Sequence, residues 1–183
     1  MKAKIIIGGA LVLAGMAAGI PYLLPDTFQV EKHTVLPAPP AVVYKQLNNL
    51  SAWESWSVWN QHADPTLTTF YQGPVAGIGS QCSWKSESSG DGKLIITGNE
   101  PDKTIDLLFY PEGEAFAAQT QLKLESVENG TRLTWVSKGS LPGYIDRIKG
   151  YRLKTKIEQD LEKGLSDLKK MFESDMKKIS LRR

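Results

Sequence analysis

Ile145, Ile148, Leu153, Ile157, Leu161, Leu165, Leu168 and Phe172 recur at spacings of three, four and once five. That rhythm predicts a single helix of about seven turns with one apolar stripe, its other face carrying Lys, Asp and Glu. A helix of this kind gains most of its stability from packing, so the stripe must lie on something apolar. The rest of the chain therefore has to supply one large apolar surface, and the segment ahead of the stripe reads as a sheet.

From Thr66 to Lys138 short runs rich in β-branched and aromatic residues alternate with turn residues: "LTTFYQ", "SQCSWKSES", "KLIITGN", "KTIDLLFYP", "AFAAQTQLKLESV" and "TRLTWVSKG". Gly, Pro, Asn and Asp mark each break for their own backbone reasons. Asn129-Gly130 is a strong hairpin signal. It also reads as the sequon Asn-Gly-Thr, but the turn accounts for the same residues. Ahead of this block, "TFQVEKHTVL" alternates, with Phe28, Val30 and Lys32 on one face. Pro37, Pro39 and Pro40 end it, and Pro40 suits the first turn of a helix in which Val43, Leu47 and Leu50 share a face. The order is strand, short helices, six strands in meander, long helix. That is an α+β domain with one sheet face covered by the helix. Consecutive hairpins curl, and a straight rod cannot press a curled sheet along its whole length, so a ligand-sized gap is expected between them.

The N-terminus carries a different constraint. Between Ile5 and Leu24 there is no charge. Twenty residues make about 30 Å of helix, the thickness of a bilayer's hydrocarbon core. Lys2 and Lys4 precede the run and Asp26 and Glu31 follow it, which sets the N-terminus in the cytoplasm and the domain outside, periplasmic or extracellular. A cleaved signal peptide is the alternative, with small residues near Met16–Gly19. The run continues past them to Leu24, longer than such a peptide needs. The expected division is a transmembrane anchor over 1–25, the domain over 26–178 and a basic tail over 179–183.

Net charge is only +2, but it is unevenly spread. Residues 26–140 hold 13 acidic and 8 basic side chains, whereas residues 141–183 hold 12 basic and 7 acidic. Arg147, Lys149, Arg152, Lys154 and Lys156 come in one cluster. They read either as a solvated helix face or as a contact for anionic headgroups, worth about 1 kcal/mol per basic residue at a membrane surface. Nucleic acid is a poor partner for a domain outside the cytoplasm. Cys82, the single cysteine, excludes an internal disulfide and a cysteine-pair metal site.

Four pieces in combination resemble the START-like helix-grip superfamily. They are "VEKHTVLPAPPAVVYKQLNNLSAWESWSVWN", "YQGPVAGIGSQCSW", "NGTRLTWVSKG" and "IEQDLEKGLSDLKKMFE". The nearest likeness is to the bacterial SRPBCC group, polyketide cyclase/dehydrase-like, in a form with one N-terminal membrane anchor. Val58 stands where that group often has proline. The resemblance implies a curved antiparallel sheet gripping a long C-terminal helix. It does not imply one activity, because cyclases, hydrolases, lipid carriers and binding modules share the scaffold.

Three tryptophans, Trp53, Trp56 and Trp59, recur every third residue in "WESWSVWN", a spacing that stacks side chains along one edge of a helical or 3₁₀ turn. As a ligand platform they would expose a large apolar patch, which soluble domains avoid. Buried, each stabilises by a few kcal/mol at roughly 25 cal/mol per Å². Packing is the expectation, with the resemblance making this segment a plug at one end of the sheet. Alternation turns Ile105, Leu107 and Phe109 inward, as it does Cys82 with Trp84 and Leu133 with Trp135. Trp56, Trp59, Tyr71, Trp84, Leu107, Phe109 and Trp135 are therefore the candidate pocket residues. Core and cavity lining place the same demand on them.

Catalytic patterns are sparse. There is no G-x-S-x-G and no H-E-x-x-H. His33 and His62 fall in different elements and read as surface residues; no metal and no cofactor is expected. Gly77-x-Gly79 lacks a third glycine and a following helix, so it reads as a turn into a strand. Cys82 reads as a small buried hydrophobe. The favoured expectation is noncatalytic binding of an apolar or amphiphilic small molecule, lipid-like, between sheet and helix. A cyclase- or aromatase-like enzyme would have only Tyr71, Tyr110, Asp106 and Glu54 to draw on. An envelope interaction domain would use the outer sheet face or the basic helix.

Overall fold

The computed structural model describes residues 23–111 and 117–181. Most of the apolar run Ile5–Leu24 lies outside them, and no helix among the described residues is long and apolar enough to cross a membrane. Strand β1 spans Thr27–Leu36, helix α1 Pro40–Leu47 and a 3₁₀ turn Leu50–Ser55. Strands β2 (Thr68–Gln72), β3 (Gln81–Lys85), β4 (Gly92–Glu100), β5 (Thr104–Pro111), β6 (Ala118–Val127) and β7 (Gly130–Ser140) follow. Helix α2 (Tyr144–Ser180) closes the chain, running two residues beyond the expected domain end.

All seven strands form one antiparallel sheet in the order β1-β7-β6-β5-β4-β3-β2. The hairpins account for the neighbours from β2 to β7. The remaining pair is long-range: β1 docks on β7, from Thr27 opposite Ser140 to Leu36 opposite Thr131. Gly130 makes the β6–β7 turn at φ +129°, and a side chain there would meet the Leu36 carbonyl oxygen at 2.0 Å. Between β4 and β5 the register slips at Thr97, so that Ile96 faces Leu107 and Gly98 faces Asp106. Such a bulge bends the strand and increases the local twist.

Inward positions follow the alternation. Leu94, Ile96, Ile105, Leu107, Phe109, Leu122, Leu124, Leu133 and Trp135 are buried on the face turned to α2. From α2 come Leu153, Ile157, Leu161, Leu165, Leu168 and Phe172, all buried. Val43, Leu47 and Leu50 are buried together, as their shared face predicts. Lys32 sits at the rim, its Nζ 3.2 Å from Glu162 Oε2 on α2.

Two residues depart from the expected stripe. Ile145 is 62% exposed and Ile148 45% exposed. The five-residue step from Ile148 to Leu153 is the reason. At about 100° per residue it rotates the first two turns' isoleucines to the side away from Leu161 and Leu168. Length contributes as well: 37 residues make about 55 Å of helix, against about 35 Å for the ten- and eleven-residue strands beneath it.

Candidate functional site

The tryptophan row divides rather than stacking along one edge. Trp53 lies in the 3₁₀ turn, Trp56 caps it, and Trp59 falls beyond it in irregular chain. Trp53 and Trp56 are buried and join Trp135 of β7, with ring centroids 4.9, 5.2 and 6.3 Å apart. Trp53 Nε1 donates to the Leu47 carbonyl at 2.9 Å, tying the turn to the end of α1. Trp56 Nε1, Trp135 Nε1 and Ser57 Oγ are buried without a hydrogen-bond partner among the described residues.

Trp59 belongs to a second group. It stacks on Trp84 of β3 at 5.2 Å and 22° and meets Phe109 of β5 at 5.2 Å. Trp84 in turn covers Gly92, its cross-strand partner on β4. A side chain at Gly92 would meet the indole at 2.2 Å, so glycine here makes room for the ring.

The trio floors the expected gap between sheet and helix, and it nearly fills that gap. The space left under α2 is about 20 Å³, lined by Trp59, Trp84, Phe109, Leu153 and Ile157, with Ser89, Asp91, Lys156 and Asp160 around it. A second void of about 10 Å³ lies among Trp53, Trp59, Tyr71, Cys82, Trp84 and Leu94. Each is at most the size of one water. Of the seven candidate pocket residues, Trp59, Trp84 and Phe109 meet at the first void, and Trp59, Tyr71 and Trp84 at the second. Trp56, Leu107 and Trp135 line neither and are core.

The polar rim was not legible beforehand. Asp160 is half-buried, and desolvation raises its carboxyl above the usual range despite the opposing charge of Lys156. Its trace in the sequence is its position, three and seven residues after Ile157 and Leu153, at the margin of the stripe. Lys156 Nζ donates to the Ser89 carbonyl at 2.7 Å, so it latches α2 to the β3–β4 turn rather than facing headgroups. Lys154 lies 3.8 Å from Glu158, and Arg147 reaches the Leu24 carbonyl at 3.5 Å. Lys149 and Arg152 are exposed.

The β3–β4 turn is itself pinned. The buried Asp64 carboxylate accepts from the hydroxyls of Ser86, Ser89 (2.6 Å) and Thr66 (2.7 Å), and from Thr66 N at 3.0 Å. These donors, Ser86 first, hold its pKa far below the usual carboxylate range. A depressed folded pKa stabilises above the unfolded value, about 3.9, and the contribution fades as pH falls below it toward the folded value. Asp64→Asn is therefore expected to be less stable than wild type at pH 7. In urea titrations across pH the difference should shrink below about pH 4. A gap unchanged down to pH 2 would refute the carboxylate's role.

Of the four possible catalytic residues, Glu54 and Tyr71 meet at the second void beside Cys82, while the other two lie elsewhere. Asp106 and Tyr110 lie on the outer sheet face, where Gln121 Nε2 donates to Asp106 at 2.6 Å and Lys93 Nζ sits 4.8 Å from the Tyr110 ring centroid. Tyr71 and Cys82 form a cross-strand pair on β2 and β3, and desolvation pushes both to about 12. The Cys82 thiol is thus protonated at neutral pH. Alkylation of the native protein at pH 8 is expected to run on the order of a thousandfold slower than in urea. Comparable rates would place the thiol in water. His33 and His62 are exposed, and among the described residues no group of His, Cys, Asp or Glu could hold a metal. Gly77 and Gly79 take φ of +83° and +86° in the turn before β3.

No family model matches the chain, and no curated protein matches it. Solved structures share its fold. A Staphylococcus aureus protein of unknown function superposes with a TM-score of 0.64 at 10% identity, covering 83% of this chain and 97% of that one. A Mesorhizobium loti protein gives 0.61 at 14% identity over 80% and 98%. A Chromobacterium violaceum protein gives 0.56 at 18% identity over 82% and 99%. The seven-stranded antiparallel sheet with a long C-terminal helix fits the helix-grip arrangement.

Proposed function

We propose that this chain is a membrane-anchored, noncatalytic binding domain of START-like type for a small amphiphile with a flat apolar part. The observation that carries the reading is the layout at the sheet–helix crevice. Stacked Trp59, Trp84 and Phe109 form an apolar floor, and Lys156, Asp160, Ser89 and Asp91 form a polar rim. An apolar pocket with a few convergent polar groups, one of them a desolvated carboxyl, is the usual form of a ligand site. A void of about 20 Å³ holds no such ligand, so uptake requires an indole to move. Trp59 is the ring free to do so: it is only partly buried and sits on neither helix nor strand. Residues 5–24 would tether the domain, and the bilayer would be the ligand's source.

The enzyme reading is weaker: Glu54 and Tyr71 meet only at a void of about 10 Å³, and Asp106 and Tyr110 are on the opposite sheet face. An interaction domain has one observation in its favour. The outer sheet face holds an open depression of about 500 Å³ lined by Gln29, Glu31, Asp106, Gln121, Lys123 and Lys138.

Native mass spectrometry of the full chain, extracted from cells in a mild detergent, tests the binding reading. The expected result is a co-purifying amphiphile that Trp59→Ala reduces at least tenfold. Protein without ligand, together with no uptake of an added apolar fluorophore, would overturn it.

A further inference from the structure

Helix α2 carries a second, outward face over its first two turns. Ile145, Ile148, Lys149 and Arg152 stand at i, i+3, i+4 and i+7 and share one side of the helix. All four are exposed, and this side is turned away from the core-facing Leu161 and Leu168. Exposed isoleucines at 62% and 45% are costly in water unless something covers them. Beside them Tyr144 is 41% exposed. The acid on these turns is Asp146, whose carboxylate accepts from Gly143 N at 3.0 Å and so caps its own helix.

The location of this face suggests what covers it. Arg147 Nη1 lies 3.5 Å from the Leu24 carbonyl, and Leu141 N donates to the Asp26 carbonyl at 2.6 Å. The start of α2 is therefore bound to the residues where the apolar run 5–24 ends. If that run spans a bilayer, the outward face lies at the membrane's surface. Apolar residues flanked by basic ones on a helix are the chemistry of an interfacial, anionic-lipid contact. Leu153, the first α2 residue lining the crevice, is only five residues beyond Ile148, about 7.5 Å along the helix axis.

We propose that the first two turns of α2 are a membrane-docking face that seats Ile145 and Ile148 at the headgroup–acyl boundary of an anionic bilayer through Lys149 and Arg152. It holds the crevice beside the lipid surface from which a ligand would load. The proposal rests on the anchor and ligand readings above, but its test can separate it from both.

Full-length chain carrying Cys82→Ala and one spin label, at Ile145→Cys, Ile148→Cys or the outer-face control Lys123→Cys, is reconstituted into phosphatidylcholine vesicles with and without phosphatidylglycerol. With phosphatidylglycerol, labels at 145 and 148 should be reached by oxygen and shielded from a polar nickel chelate, while the control stays aqueous. Adding Lys149→Glu and Arg152→Glu should return both labels to water. Labels that remain aqueous with anionic lipid would overturn the proposal. So would labels shielded from both probes in detergent and vesicles alike, which would mean that a second copy or another segment of the chain covers the face. If carbonate washing releases the protein, the anchor reading fails by itself. Sedimentation of the same chain with phosphatidylglycerol vesicles then decides: binding reduced at least tenfold by the double charge reversal supports docking, and no binding sinks it.

Discussion

Trp53→Ala is expected to lower the unfolding free energy by about 3–5 kcal/mol, a large part of the ~5–15 kcal/mol that holds a domain of this size together. Trp53 is 3% exposed, packs on both Trp56 and Trp135, and bonds through its indole N–H to Leu47. Its removal leaves a cavity and orphans the Leu47 carbonyl. Phenylalanine replacements separate these effects. Trp53→Phe leaves the buried carbonyl unsatisfied, at a cost of about 1–3 kcal/mol. Trp135→Phe removes an N–H that bonds nothing among the described residues, so it should cost less than about 1.5 kcal/mol. Urea titrations of the three variants decide the matter. Equal losses for the two phenylalanine variants would show that the Leu47 bond contributes little.

Gly92→Val is expected to have the largest effect on the crevice. Its first carbon would fall 2.2 Å from the Trp84 ring, and β4 cannot yield because Ile95 and Leu94 pair with β3 on one side and β5 on the other. Trp84 must therefore leave its place beside Trp59 and Phe109. Overpacking of this kind costs about 1–3 kcal/mol. The loss of binding should be larger than the loss of stability, more than tenfold for any amphiphile that wild type takes up. Trp84→Ala in the same chain should relieve the strain, so the double variant should be more stable than the two single losses would give if summed. A Gly92→Val protein that binds as well as wild type would remove the trio from the site.

Much of this arrangement is legible in the residues because period reveals face. Alternation alone puts Ile105, Leu107, Phe109, Leu133, Trp135, Cys82 and Trp84 inward, and each is buried. The helical stripe from Leu153 to Phe172 is equally plain. Less could be read where packing rather than period decides. Nothing local states that β1 pairs with β7, a contact between residues about a hundred positions apart. The Thr97 bulge leaves no mark beyond a glycine. The spacing of the three tryptophans implied a common edge. The 3₁₀ turn stops after Ser55 instead, and Trp59 is carried to the far group. The crevice's size was beyond sequence reasoning, since an inward Trp84 lines a cavity or fills it according to where Trp59 comes to rest.

The partition of the five indoles has a practical consequence. Trp53, Trp56 and Trp135 touch one another, while Trp59 and Trp84 touch only each other and Phe109 among the ring contacts found. The polypeptide thus carries two separate intrinsic chromophores, one reporting melting of the plugged end and the other occupancy of the crevice. Phenylalanine at both Trp59 and Trp84 would silence the crevice group, and phenylalanine at Trp53, Trp56 and Trp135 the other, so both events could be followed by emission in unlabelled material.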